Sequence, residues 1–146
     1  MFIKEWFSSS GSVAYTINIG FEDVKATIKT RQECLINTLS NVEQECLIQG
    51  TLPFDKEETV INQWIENNKM DTNIILYGKH SADDSVHKKR KQLVSLGFIK
   101  VYIYNGGLFE WLLLQDIYGK DEFPTSNHCP DLLKYRPPQI LYKTPL

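Results

Sequence analysis

The sequence predicts an α/β fold, a central and mostly parallel sheet flanked by helices on both faces. Three observations carry that expectation. Short apolar runs at 34–39, 73–77 and 101–104 have the length and continuity of strands buried on both faces. Segments of helical period lie between and after them, at about 55–66, 83–96 and 108–117. Gly, Asn and Pro punctuate the junctions. Strands alternating with helices at this spacing need crossover connections, and crossovers make neighbouring strands parallel.

The elements follow in order. Residues 1–13 form an N-terminal extension that ends in Ser8-Ser9-Ser10-Gly11-Ser12, with Phe2, Ile3, Trp6 and Phe7 as candidates to dock on the domain. Residues 14–19 alternate enough for a short strand, which Gly20 ends. Phe21, Val24 and Ile28 then share one helical face, with Glu22 and Asp23 at the positive end of that helix. A second apolar run within 45–52 stops at Pro53. Asp55 with Glu58 three residues later has the form of a capping box, and Val60, Ile61, Trp64 and Ile65 make the apolar stripe behind it. Asn67 and Asn68 end the helix.

The strand at 73–77 opens into a polar loop, where Ser81 or Asp83 can cap the next helix. That helix points Val86, Leu93, Val94 and Leu96 inward, and Gly97 stops it. After 101–104, Asn105-Gly106-Gly107 turns into an apolar helix carrying Trp111. The domain is expected to span 14–118. Residues 119–146 hold five of the six prolines and read as an extended C-terminal arm, yet Phe123, Leu132, Leu133, Tyr135, Ile140, Leu141 and Tyr142 make it too apolar to stay solvated. Those side chains dock on their own domain or on another chain, and Tyr135, Leu141 and Tyr142 are the candidate partner-binding residues.

Composition narrows the classes of function. The 146 residues suit one domain, and 42% hydrophobic with 23% charged residues is ordinary for a globular protein. A formal charge of −2 gives no general attraction to nucleic acid. Apolar runs fall far short of the roughly 20 residues of a membrane span, and the N-terminus lacks the pattern of a secretory signal, so an intracellular protein is expected. Cys34, Cys46 and Cys129 are three cysteines without metal-ligand or redox-motif spacing, and free thiols are expected. No cofactor or metal is expected.

The stretch Ile75-Leu76-Tyr77-Gly78, the polar loop, the amphipathic helix, Leu96-Gly97-Phe98, Val101-Tyr102 and finally Asn105-Gly106-Gly107 with Trp111 resembles the rhodanese-like superfamily in order and spacing. Leu35-Ile36-Asn37-Thr38-Leu39 stands where that family has a strand ending in Asp-x-Arg, and Leu47-Ile48-Gln49-Gly50-Thr51 parallels its His-Ile-Pro-Gly-Ala segment. The resemblance covers about residues 14–117. It implies a sulfur-carrying cysteine at the end of the strand, in a loop whose backbone N–H groups converge on the sulfur and whose arginine binds an anionic donor.

The chain departs from that pattern where the chemistry should be. Gly78 stands at the cysteine position, so no persulfide can form there. The loop Gly78-Lys79-His80-Ser81-Ala82-Asp83-Asp84 ends in carboxylates instead of an arginine. These serve as helix caps and repel an anionic substrate, with Lys79 and His80 offsetting part of the charge. Asn37 and Leu39 replace the Asp-x-Arg pair. The resemblance therefore implies a degenerate, non-catalytic member that acts through protein partners, as a scaffold or a subunit of a larger assembly.

An enzyme using Cys46 as a relocated nucleophile, a sulfurtransferase or a phosphatase-like relative, is the alternative. Cys129 beside His128 lacks a rigid scaffold for a catalytic dyad, and Cys34 reads as core. His80 and His87 have neither a nucleophile nor an acidic orienter in prospect. Asp83 and Asp84 together supply too few oxygens for a hard cation. Lys88, Lys89, Arg90 and Lys91 form a basic helix face, better read as solvated than as a nucleic-acid patch.

Overall fold

A computed structural model describes residues 17–31 and 34–142. The expected extension at 1–13 and most of the expected strand at 14–19 lie outside the described residues. The elements are β1 (Asn18–Ile19), α1 (Phe21–Thr30), β2 (Cys34–Asn37), α2 (Phe54–Glu66), β3 (Ile74–Tyr77), α3 (Ser85–Ser95), β4 (Val101–Tyr104) and α4 (Gly107–Tyr118). Short 3-10 turns stand at Asn41–Glu43 and Leu132–Tyr135. The sheet order is β1-β4-β3-β2, every pair parallel, with Ile36 opposite Leu76 and Ile75 opposite Tyr102. No helix among the described residues is long and apolar enough to cross a membrane.

Alternation along the strands sorts the core into two layers. Leu35, Ile75, Tyr77 and Tyr104 point to the side of α1 and α4, where Val24, Leu108, Trp111 and Leu112 meet them. Ile36, Ile74, Leu76 and Val101 point to the other side, against Ile61 of α2 and Leu93 of α3. β3 is buried on both faces, as its continuous apolar run requires.

Three expectations about elements are corrected. The capping box does not form: Pro53 holds the N-cap position of α2 with a φ of −57°, so Asp55 lies inside the first turn and makes no side-chain cap. Val94 and Leu96 are exposed, because Gly97 turns at a φ of +110° and brings Phe98 into the core in their place. The apolar run at 45–52 makes two isolated bridges, Thr51 to Leu35 and Ile48 to Thr125. The domain's core also continues beyond residue 118, since Phe123 and Tyr135 are buried in the layer of α1 and α4.

The arm thus docks on its own domain through residue 135. Phe123 packs edge-on against Trp111 with ring centroids 5.0 Å apart, and against Phe21 at 5.5 Å. The Trp111 indole N–H donates to the Pro124 carbonyl at 3.0 Å, and the Ser126 amide donates to the Leu47 carbonyl at 2.8 Å. Prolines bar a helix here but not packing. Of the three partner candidates, Tyr135 is therefore a core residue at 3% exposure. Leu141 and Tyr142 lie open to solvent at 73% and 93%.

Candidate functional site

In a parallel sheet the loops that carry chemistry leave the carboxyl ends of the strands, and here those ends gather Asn37, Thr38, Tyr77 and Gly78. The loop from Gly78 to Asp84 is bound tightly to its surroundings. The Leu108 and Phe109 amides at the start of α4 donate to the Gly78 and Lys79 carbonyls at 2.9 and 2.8 Å. Gly107 has a φ of +68°, and a β-carbon on it would lie 2.7 Å from the Gly78 carbonyl oxygen, so the Gly-Gly turn is what lets α4 approach the loop so closely.

Asp83 organises the interior of this loop. Its Oδ2 accepts from the Lys79 amide at 3.0 Å, and its Oδ1 accepts from the Ser85 amide at 3.0 Å. Burial alone would raise the Asp83 carboxyl, but these N–H bonds outweigh it and hold the group below the ordinary carboxylate range. A β-carbon on Gly78 would stand 2.6 Å from Asp83 Oδ2 and 3.2 Å from Thr38 Oγ1. The carboxylate thus occupies the space into which a side chain at position 78 would grow. Asp83 caps the start of α3 as expected, whereas Asp84 makes no side-chain cap. Ser81 plays no capping part either; the Ala82 amide donates to His80 Nδ1 at 3.1 Å.

Of the two residues expected to offset this charge, His80 helps to hold Asp83 low, whereas Lys79 is committed elsewhere. Lys79 Nζ pairs with Glu43 at 2.6 Å, and Glu43 is held below its ordinary range because bonds from Lys79 and Ser40 exceed the effect of burial. Asn37, buried at the end of β2, exchanges amide bonds with Gln44: Asn37 Nδ2 donates to Gln44 Oε1 at 3.0 Å, and Gln44 Nε2 donates to Asn37 Oδ1 at 2.8 Å. A neutral amide pair stands at this strand end, and Leu39 beside it is core.

Glu43, Gln44 and Tyr77 were not singled out in the sequence. Tyr77 is fully buried and accepts from the Ile48 amide at 3.1 Å, and its hydroxyl lies 2.6 Å from Thr51 Oγ1. Desolvation pushes this phenol well above its ordinary pKa, so it is a structural pin. Thr38 Oγ1 bonds Ser85 Oγ at 2.6 Å, tying β2 to the start of α3. A phosphate or metal hold would need convergent free donors or clustered ligands. Among the described residues no three His, Cys, Asp or Glu side chains group for a metal.

The expectation of free thiols is corrected at two of three positions. Cys46 and Cys129, 83 residues apart, are joined as a disulfide with Cα atoms 6.0 Å apart. Cys46 is buried and lines a cavity with Asn127, His128 and Tyr135, not the cavity at the loop. Cys34 is free, and burial followed by the charge of Glu57 pushes its thiol up to about 12. Lys120 Nζ donates to His128 Nδ1 at 3.0 Å, and His87 is exposed on α3. On the basic face Lys89 pairs with Glu57 and Arg90 Nε donates to the Val101 carbonyl at 3.0 Å, while Lys88 and Lys91 face solvent.

Comparison with known proteins places this architecture. A full-length protein from Lactobacillus plantarum superposes with a TM-score of 0.57 at 14% identity, covering 77% of this chain and 94% of that one. The rhodanese-like domain of the Alr3790 protein from Anabaena sp., in its solution structure, gives 0.55 at 17% identity over 89% and 90% of the two chains. A crystal structure of the Alr3790 protein gives 0.53 at 18% identity over 74% and 90%. No curated protein matches the chain. These identities speak to the fold alone. The family model described as a rhodanese-like domain matches residues 16–114, from the first strand through the Gly-Gly turn and into α4. With most of its length under that model and its sheet shared with those structures, the chain belongs to the rhodanese-like domain family.

Proposed function

We propose that this chain is a non-catalytic rhodanese-like domain that acts through contacts with a protein partner. The observation that carries the reading is the Asp83 carboxylate, which accepts the Lys79 and Ser85 amides beside Gly78. Sulfur transfer on this fold needs a thiolate at the strand end and free N–H groups to hold an anion. Gly78 supplies no nucleophile, and the two amides already hold an internal anion. The Asn37–Gln44 pair and the Lys79–Glu43 ion pair support the same reading, since a neutral amide and an already paired lysine stand beside the loop. Cys46 is buried and cross-linked, which disfavours it as a nucleophile.

For the contact, Ile140, Leu141 and Tyr142 are the support: three consecutive apolar residues, all exposed, beyond the part of the arm that is anchored through Tyr135. Such a segment fits along a partner in extended or polyproline geometry. The test compares proteins that co-purify with the full chain and with the Leu141→Asp, Tyr142→Asp double variant. A specific partner lost only in the variant supports the reading. Equal recovery by both overturns this part of it.

A further inference from the structure

Cys46 lies in the loop after β2 and Cys129 lies midway along the arm, so their bond joins the arm to the domain at one point. Up to that point the arm is anchored without the sulfurs. Besides the Trp111 and Ser126 bonds, Asn127 Nδ2 donates to the Glu45 carbonyl at 2.7 Å and Gln115 Nε2 donates to the Phe123 carbonyl at 2.8 Å. Beyond it the attachments are fewer. Tyr135 is buried, Asp131 caps the 3-10 turn through the Leu133 amide at 3.2 Å, and Lys134 meets Glu45 at 3.6 Å in an exposed pair. Exposed pairs of this kind contribute little. From there Pro137, Pro138 and Ile140 form one wall of a cavity of about 520 Å³ whose other wall is the loop, with Thr38, Lys79, His80 and Asp83.

We propose that Cys46 and Cys129 are a reversible redox clasp that sets how firmly residues 130–142 lie against the loop. In the reduced state the half-buried Cys129 is the reachable thiol, and Cys46 is the buried resolving one. The Cys129 thiolate attacks an external disulfide such as oxidised glutathione, forming a mixed disulfide and expelling one glutathione thiolate, which takes up a proton. Cys46 loses its proton and attacks the Cys129 sulfur. The Cys46–Cys129 bond forms as the bond to glutathione breaks, releasing the second thiol. Two protein thiols are oxidised and one glutathione disulfide is reduced, and excess reduced glutathione runs the exchange backwards. The bond ties Cys129 to the domain at the point where the weakly held segment begins, so its loss loosens the attachment of that segment.

The experiment equilibrates the full chain in glutathione buffers from reducing to oxidising. The cross-linked fraction is read by thiol alkylation and mass, and backbone amide hydrogen exchange is followed in the same samples. The amides of Leu133, Lys134 and Arg136, each hydrogen-bonded within the turn, report on the arm; that of Ile74, bonded to the Lys100 carbonyl, reports on the sheet. Reduction should speed exchange at the three arm amides by roughly tenfold or more, and by a clearly larger factor than at Ile74. Cys129→Ser should behave like the reduced protein in every buffer. Absence of the cross-link at all glutathione ratios, or arm amides that exchange alike in both states, overturns the proposal. So does acceleration that includes Ile74 to the same extent, which makes the bond a brace for the whole domain.

Discussion

The Oδ2 atom of Asp83 lies 2.6 Å from the position that a β-carbon on Gly78 would take. A glycine at the end of β3 and a carboxylate five residues on therefore share one small volume, and each makes the other possible. The carboxylate can turn inward because nothing projects from residue 78. Residue 78 can stay a glycine because the amides around it are satisfied from Asp83.

A cysteine introduced by Gly78→Cys should therefore be unreactive and poorly accommodated. Its side chain meets the Asp83 carboxylate, which disfavours a second negative charge and keeps the thiol pKa near or above the free value of about 8.5. Alkylation at mildly acidic pH should be slow, and faster in the Gly78→Cys, Asp83→Asn double variant. Rapid alkylation of the single variant would contradict the electrostatic part of this reading.

Replacing Asp83 alone tests the cap. Asp83→Asn turns one acceptor into a donor, leaves the Lys79 or Ser85 amide without a partner, and should cost about 1–3 kcal/mol at neutral pH. The sign with pH follows from the depressed carboxyl. Its contribution is complete above the unfolded value of about 3.9 and is lost as pH falls through the lower folded value. Urea melts should show the gap between wild type and variant narrowing below about pH 4, where the protonated wild type loses the same interactions.

Much of the fold was legible because its signals are local. Four consecutive buried positions from Ile74 to Tyr77 leave few alternatives to a central strand, and Gly106-Gly107 before Trp111 marks a tight entry into α4. At the site, a glycine at the end of β3 was legible. The contacts around it do not follow from spacing. Asp83 was recognised as a cap for α3, but its second bond back to the Lys79 amide comes from the loop closing on itself. Gln44 reaches Asn37 only because the chain folds back after the 3-10 turn, and Cys46 meets Cys129 across 83 residues. The five prolines after residue 118 and the apolar residues among them showed that the arm must dock, but not that Phe123 and Tyr135 would bury in this domain rather than on another chain.

Trp111→Ala should destabilise the protein by about 3–5 kcal/mol, because the ring is fully buried between Tyr104 and Phe123. Trp111→Phe keeps an aromatic ring in that layer and loses the indole bond to the Pro124 carbonyl, which retains the Gln49 amide, so its cost should be smaller yet measurable. Thermal melts of both variants check the order.

Truncation divides the arm at Tyr135. Residues 137–142 are exposed, and removing residues 137–146 should leave cooperative unfolding intact. Removing 119–146 also strips Phe123, Tyr135 and the Pro124 acceptor from the core and should lower the melting temperature markedly, or prevent folding. Equal melting of the two truncated proteins would mean that the arm's packing carries no stability.

The central claim, that the loop at Gly78 has given up sulfur transfer, is tested most directly by a thiosulfate-to-cyanide assay with mass analysis of the intact protein. The assay is run on the reduced protein, so that Cys46 and Cys129 are available as thiols. The expected result is no thiocyanate above the protein-free rate and no sulfur adduct on the chain. Turnover with a persulfide on the protein, abolished by Cys46→Ser, would contradict the account and make the chain an enzyme with a relocated nucleophile.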